Sequence, residues 1–147
     1  MSTDERFTPP TDLERWHAKY RFTVDIASSP LAPAARILPR YITKEQNALR
    51  FAIPREERVW CNPPYSDIEP WVRFLWKQPC FSVMLLPAWT DRQWWQKYVE
   101  PFRDRPGSRL HTEFLTRVLF GDPVVPVRTK GQPNFWPVLL IFDEVPQ

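Results

Sequence analysis

The sequence predicts an α/β domain: a mainly parallel sheet with helices on its faces and an antiparallel strand pair near the C-terminus. Three observations carry this. Helical and strand patterns alternate through the first two thirds of the 147 residues, and alternation implies right-handed crossovers between parallel strands. Phe81-Ser82-Val83-Met84-Leu85-Leu86 is a near-continuous apolar run, the pattern of a strand buried on both faces. Beyond Pro106-Gly107 the pattern changes to strands without clear helices.

Taken in order, Thr11-Asp12-Leu13-Glu14 reads as a capping box. With Leu13, Trp16 and Tyr20 at helical spacing it predicts a first helix over about 12–19. Phe22 to Ala27 reads as a short strand. Ser28 to Arg40, rich in Pro and Ala, reads as a loop with at most one helical turn. Thr43-Lys44-Glu45-Gln46 is a second capping box, opening a short helix to about Leu49. A strand follows at Arg58 to Cys61. Ser66-Asp67-Ile68-Glu69 is a third box, with Ile68, Trp71, Val72 and Leu75 as its apolar stripe and Pro70 harmless in the first turn. Thr90-Asp91-Arg92-Gln93 is a fourth, for a helix to about Val99. Two strands close the chain, Glu113 to Phe120 and Val138 to Phe142, around a polar loop from Gly121 to Pro133.

Composition narrows the function. The length suits one domain over 1–147 with a real core. Residues 1–6 are expected to be a flexible N-terminus, with no signal-peptide pattern. No apolar run approaches the ~18–20 residues of a membrane span, so no membrane partner and a cytoplasmic location are expected. Three glycines allow no glycine-rich phosphate loop, which excludes nucleotide triphosphatases and ordinary dinucleotide dehydrogenases. Cys61 and Cys80 lie outside any Cys/His cluster, so no metal site is expected. A net charge of +3 permits nucleic acid as a partner without demanding it.

The chemistry concentrates in Val59-Trp60-Cys61-Asn62-Pro63-Pro64-Tyr65-Ser66. Each proline fixes its own φ and restricts the residue before it. Asn62, two prolyl carbonyls and the Tyr65 ring are therefore held in fixed relation. Such a group suits a planar ligand with an exocyclic amine. The amine donates to the Asn62 side-chain oxygen and the Pro63 carbonyl, and the Tyr65 ring stacks on the plane. Asn-Pro-Pro-Tyr arises by chance in on the order of one chain in a thousand of this composition. The alternative reading is a rigid strand-to-helix turn with a buried tyrosine. In open α/β sheets the ligand site lies beyond the carboxyl ends of the strands. Three polar clusters fall there: Asp25 to Ser28, Asn62 to Tyr65, and Pro87 to Asp91.

These residues resemble the small phage and prophage DNA N6-adenine methyltransferases, the phage Dam-type family. The pieces are Phe7-Thr8-Pro9; Phe22 to Ala27; Arg40-Tyr41-Ile42-Thr43 with Ala48-Leu49; VWCNPPYSDIEPW from Val59 through Trp71; Met84 to Ala88 with Thr90, Asp91 and Trp94; and Leu119-Phe120-Gly121 with Pro137 through Phe142. The resemblance implies a compact Rossmann-like methyltransferase sheet with S-adenosyl-L-methionine as cofactor. It implies duplex DNA as partner, in the cytoplasm of a bacterial host. Asn62, Pro63, Pro64 and Tyr65 would hold a flipped-out adenine as the catalytic set. Phe7, Thr8 and Pro9 would line the methionine end of the cofactor, and Asp25, Ala27 and Asn47 belong to the same cofactor set. Two departures from the family pattern are Asn47, where relatives usually carry Asp, and Trp89, where many carry Arg. Alternatives are methylation of RNA or of a protein glutamine amide, and a catalytically degenerate fold that binds nucleic acid. His17 and His111 read as structural. Trp89, Trp94 and Trp95 are candidates to frame the pocket, and Arg103, Arg105, Arg109, Arg128 and Lys130 are candidates for phosphate contacts.

Overall fold

The structure is a computed structural model and describes residues 8–32, 34–116 and 135–147. Its elements are α1 (Pro10–Tyr20), β1 (Val24–Ser28), α2 (Ala34–Ile37), β2 (Arg40–Thr43), a 3-10 turn (Ala48–Arg50), β3 (Arg58–Cys61), α3 (Glu69–Lys77), β4 (Phe81–Pro87), α4 (Gln93–Tyr98), β5 (Leu110–Phe114) and β6 (Pro137–Phe142). The six strands form one sheet in the order β2-β1-β3-β4-β6-β5. The first four are parallel. β6 runs antiparallel to both β4 and β5. This is the compact Rossmann-like sheet expected, mainly parallel with a terminal antiparallel pair. No helix among the described residues is long and apolar enough to cross a membrane.

Crossovers leave β1 toward β2 and β3 toward β4, in opposite directions along the sheet. With right-handed connections, the helices therefore cover both faces. On one face Trp16 of α1 stacks on Trp60 of β3, and Phe22 packs against the same ring, each with centroids 5.4 Å apart. On the other, α3 meets α4, and Trp76 packs edge-on against Phe142 of β6 at 5.2 Å. Between the layers β4 is buried over Ser82 to Pro87, which explains its near-continuous apolar run.

Several local expectations are corrected. The first helix begins at Pro10 with Pro9 as its cap, and no side chain caps it. Proline at the first helical position is already set for helix, so the helix opens ahead of Thr11. The second capping box does form: Thr43 N–H donates to Gln46 Oε1 at 2.8 Å and Gln46 N–H to Thr43 Oγ1 at 3.3 Å. It opens only the 3-10 turn, because Asn47 takes a left-handed conformation, φ 53°, that no α-helix continues through. The third and fourth boxes do not cap. Ile68 and Arg92 are the caps, without side-chain bonds, because Ser66-Asp67 and Thr90-Asp91 are spent on turns: Asp67 N–H donates to Pro64 O, and Arg92 N–H to Trp89 O. Pro70 lies in the first turn of α3 as expected.

Arg40–Thr43, read as loop end and helix start, is the edge strand β2. It is only four residues long and largely exposed, so it carries no apolar alternation. Its Arg40 is tied to Glu57 by an ion pair, and Glu57 also accepts from Thr23 Oγ1 at 3.1 Å. β5 begins three residues earlier than expected and ends at Phe114. Its start is fixed by buried Leu110 and by Asp104, which accepts from Thr112 N–H at 2.9 Å. Residues 117–120 of the expected strand, and the loop with Arg128 and Lys130, lie outside the described residues.

Candidate functional site

β1 pairs with β3 at Val24↔Val59 and Asp25↔Trp60. Toward β2 its register shifts between Asp25 and Ser28. The shift has a local cause: Asp25 Oδ1 accepts from Ala27 N–H at 2.9 Å, a side-chain turn that competes with the ladder. Beyond this point β1 and β3 diverge at the place where the crossovers part, which is where open α/β sheets bind ligands.

A cavity of about 410 Å³ opens there, lined by Thr8, Asp25, Ala27, Asn47, Asn62, Pro63 and Pro64 among others. Seven of the residues anticipated from sequence are thus on one wall system. Pro9 caps α1 beside the cavity without lining it, and Phe7 lies outside the described residues. Leu13, Trp60 and Trp71 supply apolar walls, and Lys44 stands at the rim. The sequence reading assigns none of these four to the site. Trp60 and Trp71 flank the Asn-Pro-Pro-Tyr motif, and their fixed spacing from it is the signal that was available.

Asn62 is held at both ends of its carboxamide. The Tyr65 hydroxyl donates to Asn62 Oδ1 at 2.7 Å, and Asn62 Nδ2 donates to Thr8 Oγ1 at 3.3 Å. Tyr65 itself is buried and does not line the cavity. Its hydroxyl also lies 3.2 Å from Leu85 O on β4, and its ring meets Phe135 edge-on at 5.6 Å. Trp89 packs edge-on against the same Phe135 at 5.9 Å and carries the Arg92 guanidinium 4.6 Å above its ring. The Pro87–Asp91 cluster therefore reaches the motif from behind, through Tyr65 and Phe135, rather than joining the cavity wall. Trp94 and Trp95 are core residues of α4.

Asp25 is 4% exposed, and burial pushes its carboxyl up to about 7, against the opposing pull of the Ala27 N–H and the Ser28 hydroxyl. Among the described residues no cation pairs with it. Burial, and secondarily Asp25, also push the Cys61 thiol up, so this cysteine is an inert core residue beside the motif.

The remaining candidates lie elsewhere. His17 Nδ1 accepts from Phe22 N–H at 3.1 Å, closing the turn after α1. His111 Nε2 lies 2.7 Å from Asp143 Oδ2. Arg109 donates to the carbonyls of Asp143, Trp76 and Cys80, at the end of the sheet opposite the cavity. Arg103 is occupied by Glu100, Asp104 and Thr112. These two arginines serve the fold. Arg105 is exposed.

No curated protein matches the chain. A family model does, and its span includes every residue anticipated for the site as well as β1 to β4: over residues 2–104 the chain matches, and belongs to, the DNA N-6-adenine-methyltransferase (Dam) family.

Proposed function

We propose that the protein transfers a methyl group from S-adenosyl-L-methionine to N6 of an adenine flipped out of duplex DNA. The observation that carries this is the Asn62 carboxamide, clamped between the Tyr65 and Thr8 hydroxyls at the wall of the cavity that also holds Asp25, in a chain of the Dam family.

The cavity suits the cofactor. Its volume falls within the roughly 300–1,000 Å³ of small-molecule sites. Asp25 is a buried carboxyl with hydrogen-bond donors but no cation among the described residues, and it would welcome a hydroxyl or ammonium donor. Ala27 and Ala34 leave room beside it, while Leu13 and Trp60 give an apolar surface for a ring. Asp25, Ala27 and Asn47 would hold the cofactor, with Thr8 lining its amino-acid end. When bound, S-adenosylmethionine supplies an already activated methyl group.

The protein's task is then to prepare the nucleophile. An amine on a purine has its lone pair drawn into the ring. Asn62 Oδ1 and the Pro63 carbonyl, as acceptors, favour the pyramidal amine and strengthen as nitrogen becomes positive. No general base of high pKa is required. An amide oxygen accepts two hydrogen bonds, so the Tyr65 bond is compatible with this role. Tyr65 acts by fixing the direction of that oxygen. A base inside a duplex cannot reach such a wall, so the nucleotide leaves the stack.

The test is methyl transfer from labelled S-adenosylmethionine to unmethylated DNA, with RNA and a glutamine peptide alongside. Label on N6 of DNA adenine, lost in Asn62→Ala, is the expected result. Label on RNA or peptide alone would replace the substrate, and cofactor binding without transfer to any of them would remove the catalytic reading.

A further inference from the structure

Two serines in a row close β1, and their hydroxyls have different fates. Ser28 pairs with Thr43 of β2, is buried, and donates from its hydroxyl to Ser29 O at 3.3 Å. Ser29 follows in the wall of the cavity. Its Oγ is buried and meets no donor or acceptor, alone in this among the side-chain oxygens and nitrogens of the described residues.

The ordinary reason for serine at this place is the turn it opens. Ala32 N–H donates to Ser29 O at 3.1 Å across Pro30 and Leu31. Serine favours the first position of such a turn because its hydroxyl bonds the backbone. Here the hydroxyl makes no such bond, so the turn does not use it. The backbone is fixed all the same, because a residue before proline is held extended. What can turn is the hydroxyl, among three staggered positions. A buried hydroxyl without a partner bears its full desolvation cost, and native proteins keep few of them. One that belongs to a cavity wall can be turned to a ligand.

The place of Ser29 in the cavity says which part of a ligand it meets. The strands there run in the order β2-β1-β3. Asn62 follows β3, and Thr8 is bonded to it, so both lie on the β3 side. Ser29 follows the Ser28↔Thr43 pair, and Asn47 donates its N–H to Thr43 O at 3.1 Å, so these two lie on the β2 side. In the proposed reaction the transferred methyl faces Asn62, and Thr8 lines the amino-acid end. The other arm of the cofactor, its nucleoside, then runs toward β2.

We propose that Ser29 is a cofactor-binding residue: its hydroxyl finds in the nucleoside of S-adenosylmethionine the hydrogen-bond partner it lacks in the protein. This deepens the proposed function and rests on that reading for the identity of the ligand.

The test is Ser29→Ala in the full chain, which removes the hydroxyl and nothing else. Calorimetric Kd is measured for S-adenosylmethionine and for methylthioadenosine, a nucleoside without the amino-acid arm. Both should bind more weakly by the same factor, roughly five- to tenfold, the scale of one hydrogen bond. The ligand-free variant should melt no lower than wild type, since no bond within the protein is lost, and its rise in Tm on adding S-adenosylmethionine should be smaller. A loss confined to S-adenosylmethionine puts the hydroxyl at the amino-acid arm and overturns the assignment. A lower Tm of the ligand-free variant, which means a partner within the protein, overturns it as well. Wild type that binds both ligands, beside a variant that binds them equally well, leaves the cofactor reading standing and removes Ser29 from it. Wild type that binds neither removes both.

Discussion

Trp16 lies against Trp60 with ring centroids 5.4 Å apart and planes 26° from parallel, so a cavity wall rests on a side chain of the first helix. Trp60 is 1% exposed and Trp16 4%. Truncating either leaves a void that the twice-covered sheet cannot collapse into. Trp16→Ala is expected to cost about 3–5 kcal/mol, read as a shift of the urea midpoint with little change in slope. It should also weaken cofactor binding, since α1 carries Thr8 and Pro9 at its start.

Tyr65→Phe removes the hydroxyl that serves Asn62 and Leu85 and keeps the ring against Phe135. Stability should fall by about 1 kcal/mol. Methyl transfer should fall by roughly tenfold, with cofactor affinity unchanged, since the lost bond fixes the amide oxygen that faces the nucleophile. A stability loss without a rate loss would assign Tyr65 to the core alone.

Asp25 predicts an unusual pH dependence. Its carboxyl rises from the ordinary 3.8 to about 7 on folding, chiefly through burial. Between those values the native state holds the proton and the unfolded chain does not. Stability from this group is therefore complete below about pH 4 and is lost as pH rises through about 7. Asp25→Asn should be more stable than wild type at pH 8, by on the order of 4 kcal/mol at most. The advantage should vanish near pH 4 in urea titrations. A cationic cofactor prefers the ionised carboxyl, so wild-type affinity should tighten from pH 6 to 8 and that trend should disappear in the variant.

Asn47 separates backbone from charge. It is left-handed, φ 53°, and its side chain accepts from Leu49 N–H at 3.3 Å. Asn47→Asp can make the same bond and also tolerates that conformation. Stability should stay within about 0.5 kcal/mol, while the added carboxylate at the cavity should tighten binding of the cationic cofactor, read by calorimetry. Asn47→Ala loses the cap and strains the backbone, at a cost of about 1–3 kcal/mol.

The strands that build the site were legible in the sequence because burial dictates their composition. Arg58–Cys61 was read at its observed bounds, and Phe81 to Leu86 to within one residue. What escaped notice was set by contacts distant in sequence. Tyr41-Ile42-Thr43 are strand formers, but four largely exposed residues are too few to show a buried face, and their pairing comes from Asp25 and its neighbours on β1 and from Glu57. Four capping boxes were read and one forms, because the same short polar residues serve turns equally well. The site showed the same division. The motif announced Asn62 to Tyr65, and resemblance supplied Thr8, Asp25 and Asn47. The bond from Asn62 to Thr8 spans 54 residues, and no spacing rule reaches that far.

The order of strands has a consequence for synthesis. β6 is the last strand of the sheet in sequence, yet it sits between β4 and β5 and pairs with β4 from Ser82↔Phe142 to Pro87↔Pro137. While the chain emerges from the ribosome, β2, β1, β3 and β4 can assemble with the cavity half in place, but one flank of β4 stays unpaired until residue 142 has cleared the exit tunnel. That flank belongs to a strand buried from Ser82 to Pro87, and a bare apolar edge invites pairing with another nascent chain. Ribosome stalling short of residue 137 should therefore yield aggregation or chaperone capture even though every residue of the candidate site has already been made.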